Sequence, residues 1–91
     1  MNYFISYDIK DPQRRNQISK LLERFGIRIQ RSTIHCDISP VKAEELKATL
    51  LDIMADKEDS LLFVPVCMAC FEKIVFLGNG SLLRSEKFEI V

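Results

Sequence analysis

Two helix starts constrain the layout of this chain more than any other feature. Asp11-Pro12 and Ser39-Pro40 each place a capping side chain directly ahead of a proline. Proline suits the first helical position, where its missing N–H costs no bond, and Asp or Ser accepts from otherwise orphaned backbone donors. After Pro12, Ile18, Leu21, Leu22 and Phe25 recur at helical spacing. Gly26 then stands where a helix C-cap is expected, so the first helix is predicted over 12–25. After Pro40, Ala43, Leu46, Leu50, Ile53 and Met54 form one apolar face, with Lys42, Glu44, Glu45, Lys47 and Asp52 outside it.

The stretches around these helices read as strands. In 2–9, Tyr3, Ile5, Tyr7 and Ile9 alternate with Asn2, Phe4, Ser6 and Asp8. Residues 27–38 are also extended, but the apolar parity changes near Arg31-Ser32. Either one bulged strand or a tight hairpin fits, and no Asn-Gly or Gly-Gly marks a turn. Residues 61–66 are apolar throughout, as in a strand buried on both faces. Residues 72–77 read as a further strand closed by Gly78-Asn79-Gly80, and 86–91 alternates again, with Phe88 and Ile90 against Lys87 and Glu89. The order β-α-β(β)-α-β, with both helices on one side of an antiparallel sheet, is an α+β ferredoxin-like sandwich. The domain is expected to occupy 1–78 and a tail 79–91. An apolar terminal strand behind a turn suits addition to another sheet, so a homodimer exchanging this strand is expected.

Composition narrows the setting. Ninety-one residues allow one core. The longest uncharged run is the twelve residues 60–71, which contain Pro65. A membrane span needs about 20, so no membrane partner is expected. Residues 1–10 lack a basic region before an apolar run, so no signal peptide is expected. Three cysteines, an odd number, point to a reducing, cytoplasmic compartment. The net charge of zero hides two unlike halves. Residues 1–36 hold seven basic and three acidic side chains, and residues 37–91 hold six and ten. The first half can offer a basic surface to phosphates.

Several residues are candidates for chemistry. Asp8 ends the first strand, a common place for a carboxylate in metal-assisted reactions. Mg²⁺ takes one or two carboxylates with waters and substrate phosphates. A second carboxylate could come from Asp11, from Asp37 or from Asp8 of a two-fold mate. Arg14 and Arg15 sit in the first helical turn, where the dipole disfavours cations; they are either solvated or a phosphate clamp. Arg28 and Arg31 could extend that patch. Cys67-x-x-Cys70 lacks a zinc set, because only Cys36 and His35 remain as soft donors. Without a thioredoxin-like element order, two buried thiols in a turn are expected. His35 is the single histidine and is not expected to form a Cys-His dyad.

Taken together these residues are familiar. Tyr7-Asp8, Arg14-Arg15, Gly26-x-Arg28-x-Gln30-x-Ser32, Asp59-Ser60, Cys67-x-x-Cys70, Gly78 and Phe88-Glu89-Ile90-Val91 occur in an order that closely resembles the CRISPR-associated protein two family. The resemblance covers essentially the whole chain and rests on order and spacing rather than on one motif. It implies a ferredoxin-like homodimer whose C-terminal strand pairs with the mate. It further implies a subunit that joins the CRISPR integrase in spacer acquisition and binds double-stranded DNA. Mg²⁺-dependent endonuclease activity on single-stranded RNA or double-stranded DNA is implied as well. On this basis Asp8 matches the metal-binding aspartate and Tyr7 the tyrosine before it. Arg15 matches the helix arginine, with Arg14 adjacent, and Arg28 the arginine before the strand glutamine. Arg14, Arg15, Arg28 and Arg31 would meet nucleic acid. Two positions depart: Ile34 stands where the family often has Phe, and Gln17 where some members carry a basic residue. Both departures point to weak cleavage and leave dimerisation and DNA binding unaffected.

Overall fold

The strand at the start of the chain is the centre of the sheet. In the computed structural model, which describes residues 1–78 and the backbone of Glu89–Ile90, the order is β1 (Asn2–Asp8), α1 (Pro12–Glu23), β2 (Gly26–Gln30), β3 (Thr33–Asp37), α2 (Pro40–Ile53), β4 (Ser60–Val66), α3 (Met68–Phe71), β5 (Val75–Phe76) and β6 (Glu89–Ile90). The main sheet runs β2-β3-β1-β4, antiparallel at every pairing. This is the α+β ferredoxin-like arrangement expected from the element order.

The helices begin as their caps require. The Asp11 carboxylate accepts from the Arg14 N–H at 2.8 Å, and the Ser39 hydroxyl accepts from the Lys42 N–H at 3.1 Å. Ile18 and Leu22 of α1, with Ala43, Leu46 and Leu50 of α2, bury one face of each helix against Tyr3, Ile5, Tyr7, Ile34 and Cys36 of the sheet. Fully burying side chains of this size is worth about 1.5–3 kcal/mol each. The opposite face of the sheet is partly covered by α3, whose Phe71 stacks on His35 and Phe4.

One open alternative closes and four expectations change. Residues 27–38 resolve into a hairpin, β2 and β3, turning at Arg31-Ser32, with a register shift between Arg28 and Gln30. Both features contribute to the parity break. Helix α1 ends at Glu23, and Gly26 does not cap it: Gly26 lacks the positive φ of a left-handed cap and opens β2. A β-carbon there would lie 2.1 Å from the His35 carbonyl oxygen, so close approach of β3 is what demands glycine. Residues 61–66 are not buried on both faces, because α1 and α2 cover one face of the antiparallel sheet and α3 only part of the other. Leu61 and Phe63 pack on the core, whereas Leu62 and Val64 are 60% and 41% exposed. The extended stretch 72–77 contracts to Val75–Phe76, preceded by the helical turn α3. The Cys67 and Cys70 thiols are exposed rather than buried.

Glu89–Ile90 pairs in parallel with Val75–Phe76 of the same chain. Asn79 and Gly80 of the expected turn, and Phe88 and Val91 of the expected exchanged strand, lie outside the described residues. Among the described residues, no helix is long and apolar enough to cross a membrane.

Candidate nucleic-acid interface

Strand alternation separates Tyr7 from Asp8 at the end of β1. Tyr7 turns toward the helices and is buried in the core. Its backbone N–H donates to the Ser32 carbonyl at 3.0 Å, which ties this end of β1 to the β2–β3 turn. Asp8 turns the other way, with 70% of its side chain exposed and the Lys10 ammonium 3.4 Å from Oδ2. An ion pair this exposed contributes at most about 1 kcal/mol and leaves the carboxylate available.

Beside Tyr7 lies a cleft of about 410 Å³. Arg15, Asn16 and Ser19 of α1, Arg28 of β2 and Arg31 of the hairpin turn line it together with Tyr7. Arg15 and Arg31 are exposed. Arg28 is half-buried; its Nη2 donates to Ser19 Oγ at 2.8 Å and pairs with Glu23. Its buried Nε–H has no hydrogen-bond partner among the described residues. Leaving such a donor unpaired costs about 1–3 kcal/mol. Three guanidinium groups with hydroxyl and amide neighbours suit the oxygens of a phosphodiester, and among the described residues Glu23 is the one carboxylate paired with them. The register that faces Arg28 inward, opposite Ile34, puts it on the Tyr7 side of the sheet.

The structure therefore brings together four of the residues read from the sequence, Tyr7, Arg15, Arg28 and Arg31. Asp8 does not line their cleft. Arg14 is engaged elsewhere. Its Nε and Nη2 both donate to Asp59, and Nη2 also reaches Glu58 Oε2 at 3.1 Å. The guanidinium beside it holds the Asp59 carboxyl well below the usual carboxylate range, helped by backbone N–H donors and opposed by burial. Asp59 in turn raises the Arg14 pKa.

Asp59, which the sequence marked only as part of the Asp59-Ser60 resemblance and without a role, supports the site. Its side chain is fully buried. It accepts from the Lys10 N–H at 3.1 Å and the Ala55 N–H at 2.9 Å, and so fixes the loop that leaves Asp8. One signal pointed to it. A cation in the first turn of a helix opposes the dipole, so Arg14 needs a nearby carboxylate.

The donors near Asp8 limit how Mg²⁺ could be held. Asp11 accepts the α1 capping bond. Asp37 lies at the opposite end of β1, across from Asn2, and pairs with the N-terminal ammonium at 3.3 Å. No group of three or more His, Cys, Asp or Glu side chains could hold a metal among the described residues. Of the three candidates, Asp8 remains as a single exposed carboxylate at this end of β1. That fits Mg²⁺ only with further oxygens from water, phosphate or a second chain.

Comparison with known proteins agrees with this layout. The family model "CRISPR associated protein Cas2" matches residues 1–74. A Synechocystis protein named CRISPR-associated endoribonuclease Cas2 3 is 44% identical over 82 residues, covering 90% of this chain and 89% of that one. A Chloroflexus aurantiacus protein named CRISPR-associated endoribonuclease Cas2 1 is 40% identical over 81 residues, covering 88% and 87%. The crystal structure of Streptococcus pyogenes Cas2 at pH 6.5 superposes with a TM-score of 0.69 at 28% identity, over 74% of this chain and 87% of that one. A chain matched by the family model over most of its length, with relatives this similar across nearly all of theirs, belongs to the CRISPR associated protein Cas2 family.

Proposed function

We propose that this protein is a subunit of CRISPR spacer acquisition that binds nucleic acid through the arginine cleft and cleaves phosphodiesters weakly. The observation that carries the proposal is the convergence of Arg15, Arg28 and Arg31 around Tyr7, at the end of the strand that presents Asp8. The two relatives named as endoribonucleases support a nuclease reading. In this reading the three guanidinium groups hold successive phosphates and set the backbone in register. Tyr7 supports the cleft from the core, and Ser19 steadies Arg28 through its 2.8 Å hydrogen bond. Asp8, on the outer side, contributes a carboxylate with that of a two-fold mate. Mg²⁺ bound there would supply Lewis-acid polarisation of a phosphoryl oxygen and activate water for hydrolysis.

The dimer belongs to the same proposal. Among the described residues, edge strand β4 pairs on one side only, and Leu62 and Val64 are exposed. Such an edge is an aggregation hazard unless another chain covers it. A second copy, with an exchanged C-terminal strand, would cover it. The dimer would then join the integrase on double-stranded DNA.

A second reading is a scaffold without chemistry, and one observation favours it: Asp8 stands outside the arginine cleft. Cleavage of single-stranded RNA and of double-stranded DNA by Asp8→Asn, with and without EDTA, separates the two. Mg²⁺-dependent cleavage by the natural protein, lost in the variant, supports chemistry. No cleavage by either supports the scaffold.

A further inference from the structure

The Cys67-x-x-Cys70 pair has no part in the nucleic-acid site, yet its placement is specific. Cys67 is the N-cap of α3 and Cys70 lies within that helical turn. The Phe71 N–H donates to the Cys67 carbonyl at 2.8 Å, so the segment from Cys67 to Phe71 closes a helical turn. Positions three apart in such a turn have Cα atoms about 5–6 Å apart, within the range a disulfide spans. Both thiols are exposed, whereas the third, Cys36, is fully buried in the core. Cys70 lowers the Cys67 pKa through its backbone N–H and its thiol, and Cys67 in turn raises that of Cys70. No third or fourth metal donor joins them among the described residues, which leaves thiol chemistry as the use of the pair.

We propose that Cys67 and Cys70 form a reversible dithiol–disulfide site, with Cys67 as the attacking thiolate. Its reaction partner is a small-molecule disulfide. The Cys67 thiolate attacks one sulfur of that disulfide, forming a mixed disulfide and expelling one small thiolate. The Cys70 thiolate then attacks the Cys67 sulfur, closes the protein disulfide and expels the second. Two protein thiols are oxidised and one small disulfide is reduced to two thiols, with the protons of the cysteines taken up by the leaving groups. The site adjoins Phe71, which is buried over Phe4 and His35 on the open face of the sheet. Closing the bond pins the turn that delivers Phe71 to that face.

The test uses the full-length protein in glutathione buffers graded from reduced to oxidised, with mass analysis of digested peptides. The expected product is the peptide joining Cys67 to Cys70, lighter by two hydrogens and restored by excess reduced glutathione, with Cys36 unchanged. Reduced protein treated with iodoacetamide near pH 7 should be alkylated first at Cys67. The hydrogen bonds from Cys70 lower the Cys67 pKa, while burial pushes the Cys36 thiol up to about 11. The two shifts run in opposite directions, so Cys67 carries the larger thiolate fraction, and it is also the exposed thiol. Cys70→Ser should stop at the Cys67 mixed disulfide, and that adduct is expected. Amide exchange at Phe71 and Glu72 should slow in the oxidised form. Chain-to-chain disulfides in place of the internal one, equal alkylation of Cys67 and Cys36, or absence of the mixed disulfide in Cys70→Ser would overturn the site. Unchanged exchange at Phe71 would overturn its link to the sheet face.

Discussion

The Arg14 guanidinium and the buried Asp59 carboxylate, 45 residues apart in sequence, close the loop that leaves Asp8. Asp59 spends its oxygens on Arg14 and on the N–H groups of Lys10 and Ala55. A buried carboxylate is tolerable only with such partners. Asp59→Asn should therefore be among the most destabilising polar substitutions in the chain. The pH sign follows from the direction of the shift. Asp59 titrates lower in the folded protein than the unfolded value of about 3.9. Its contribution is complete above that value and is lost as pH falls below it toward the folded value. Urea midpoints across acid pH should fall in the natural protein and flatten in Asp59→Asn. Parallel curves would contradict the pairing.

Gly26→Ala tests the close approach of β2 and β3. The new β-carbon would meet the His35 carbonyl at 2.1 Å and the Cys36 sulfur at 2.8 Å. Backbone cannot yield as a flexible side chain does, so a loss of about 1–3 kcal/mol is expected in equilibrium unfolding. A neutral effect would mean the strands sit farther apart.

The exposed edge tests dimerisation. Leu62→Lys with Val64→Lys places charge on the open side of β4 while Leu61 and Phe63 keep the core. Sedimentation should show a fold-competent monomer and an association at least about tenfold weaker, since each lost apolar burial is worth more than about 1.4 kcal/mol. An unchanged dimer would move the interface elsewhere.

Much of this architecture is legible in the chain because its signals are local. Asp11-Pro12, Ser39-Pro40 and the alternation in β1 act within a few residues, and each forms as read. What was misread depends on distant partners. An apolar run such as Leu61 to Val66 is buried on both faces only where both faces of the sheet are covered, and that depends on where distant helices pack. Gly26 looks like a cap locally, but its need comes from His35 across the hairpin. Basic residues were visible as a group. That Arg15, Arg28 and Arg31 share a cleft while Arg14 turns to Asp59 depends on how α1 lies over the sheet.

Asp8→Asn keeps the size of the side chain and removes its charge. It should abolish Mg²⁺-dependent cleavage and leave dimerisation and duplex binding nearly intact, because the phosphate contacts are arginines. Spacer acquisition with the integrase should persist in the variant. Cleavage that survives the substitution or EDTA would contradict a metal site at Asp8.

The central claim is phosphate binding in the arginine cleft, and the salt dependence of duplex binding tests it most directly. Each phosphate contact contributes a slope of about −0.9 in log K against log salt. Arg15→Ala with Arg28→Ala should weaken binding alike on unrelated sequences and flatten the slope by roughly two units per chain. Arg14→Ala, whose guanidinium is held by Asp59 and Glu58, should lower stability while leaving the slope near that of the natural protein. If the double variant keeps the natural slope, or Arg14→Ala flattens it instead, nucleic acid does not bind in this cleft.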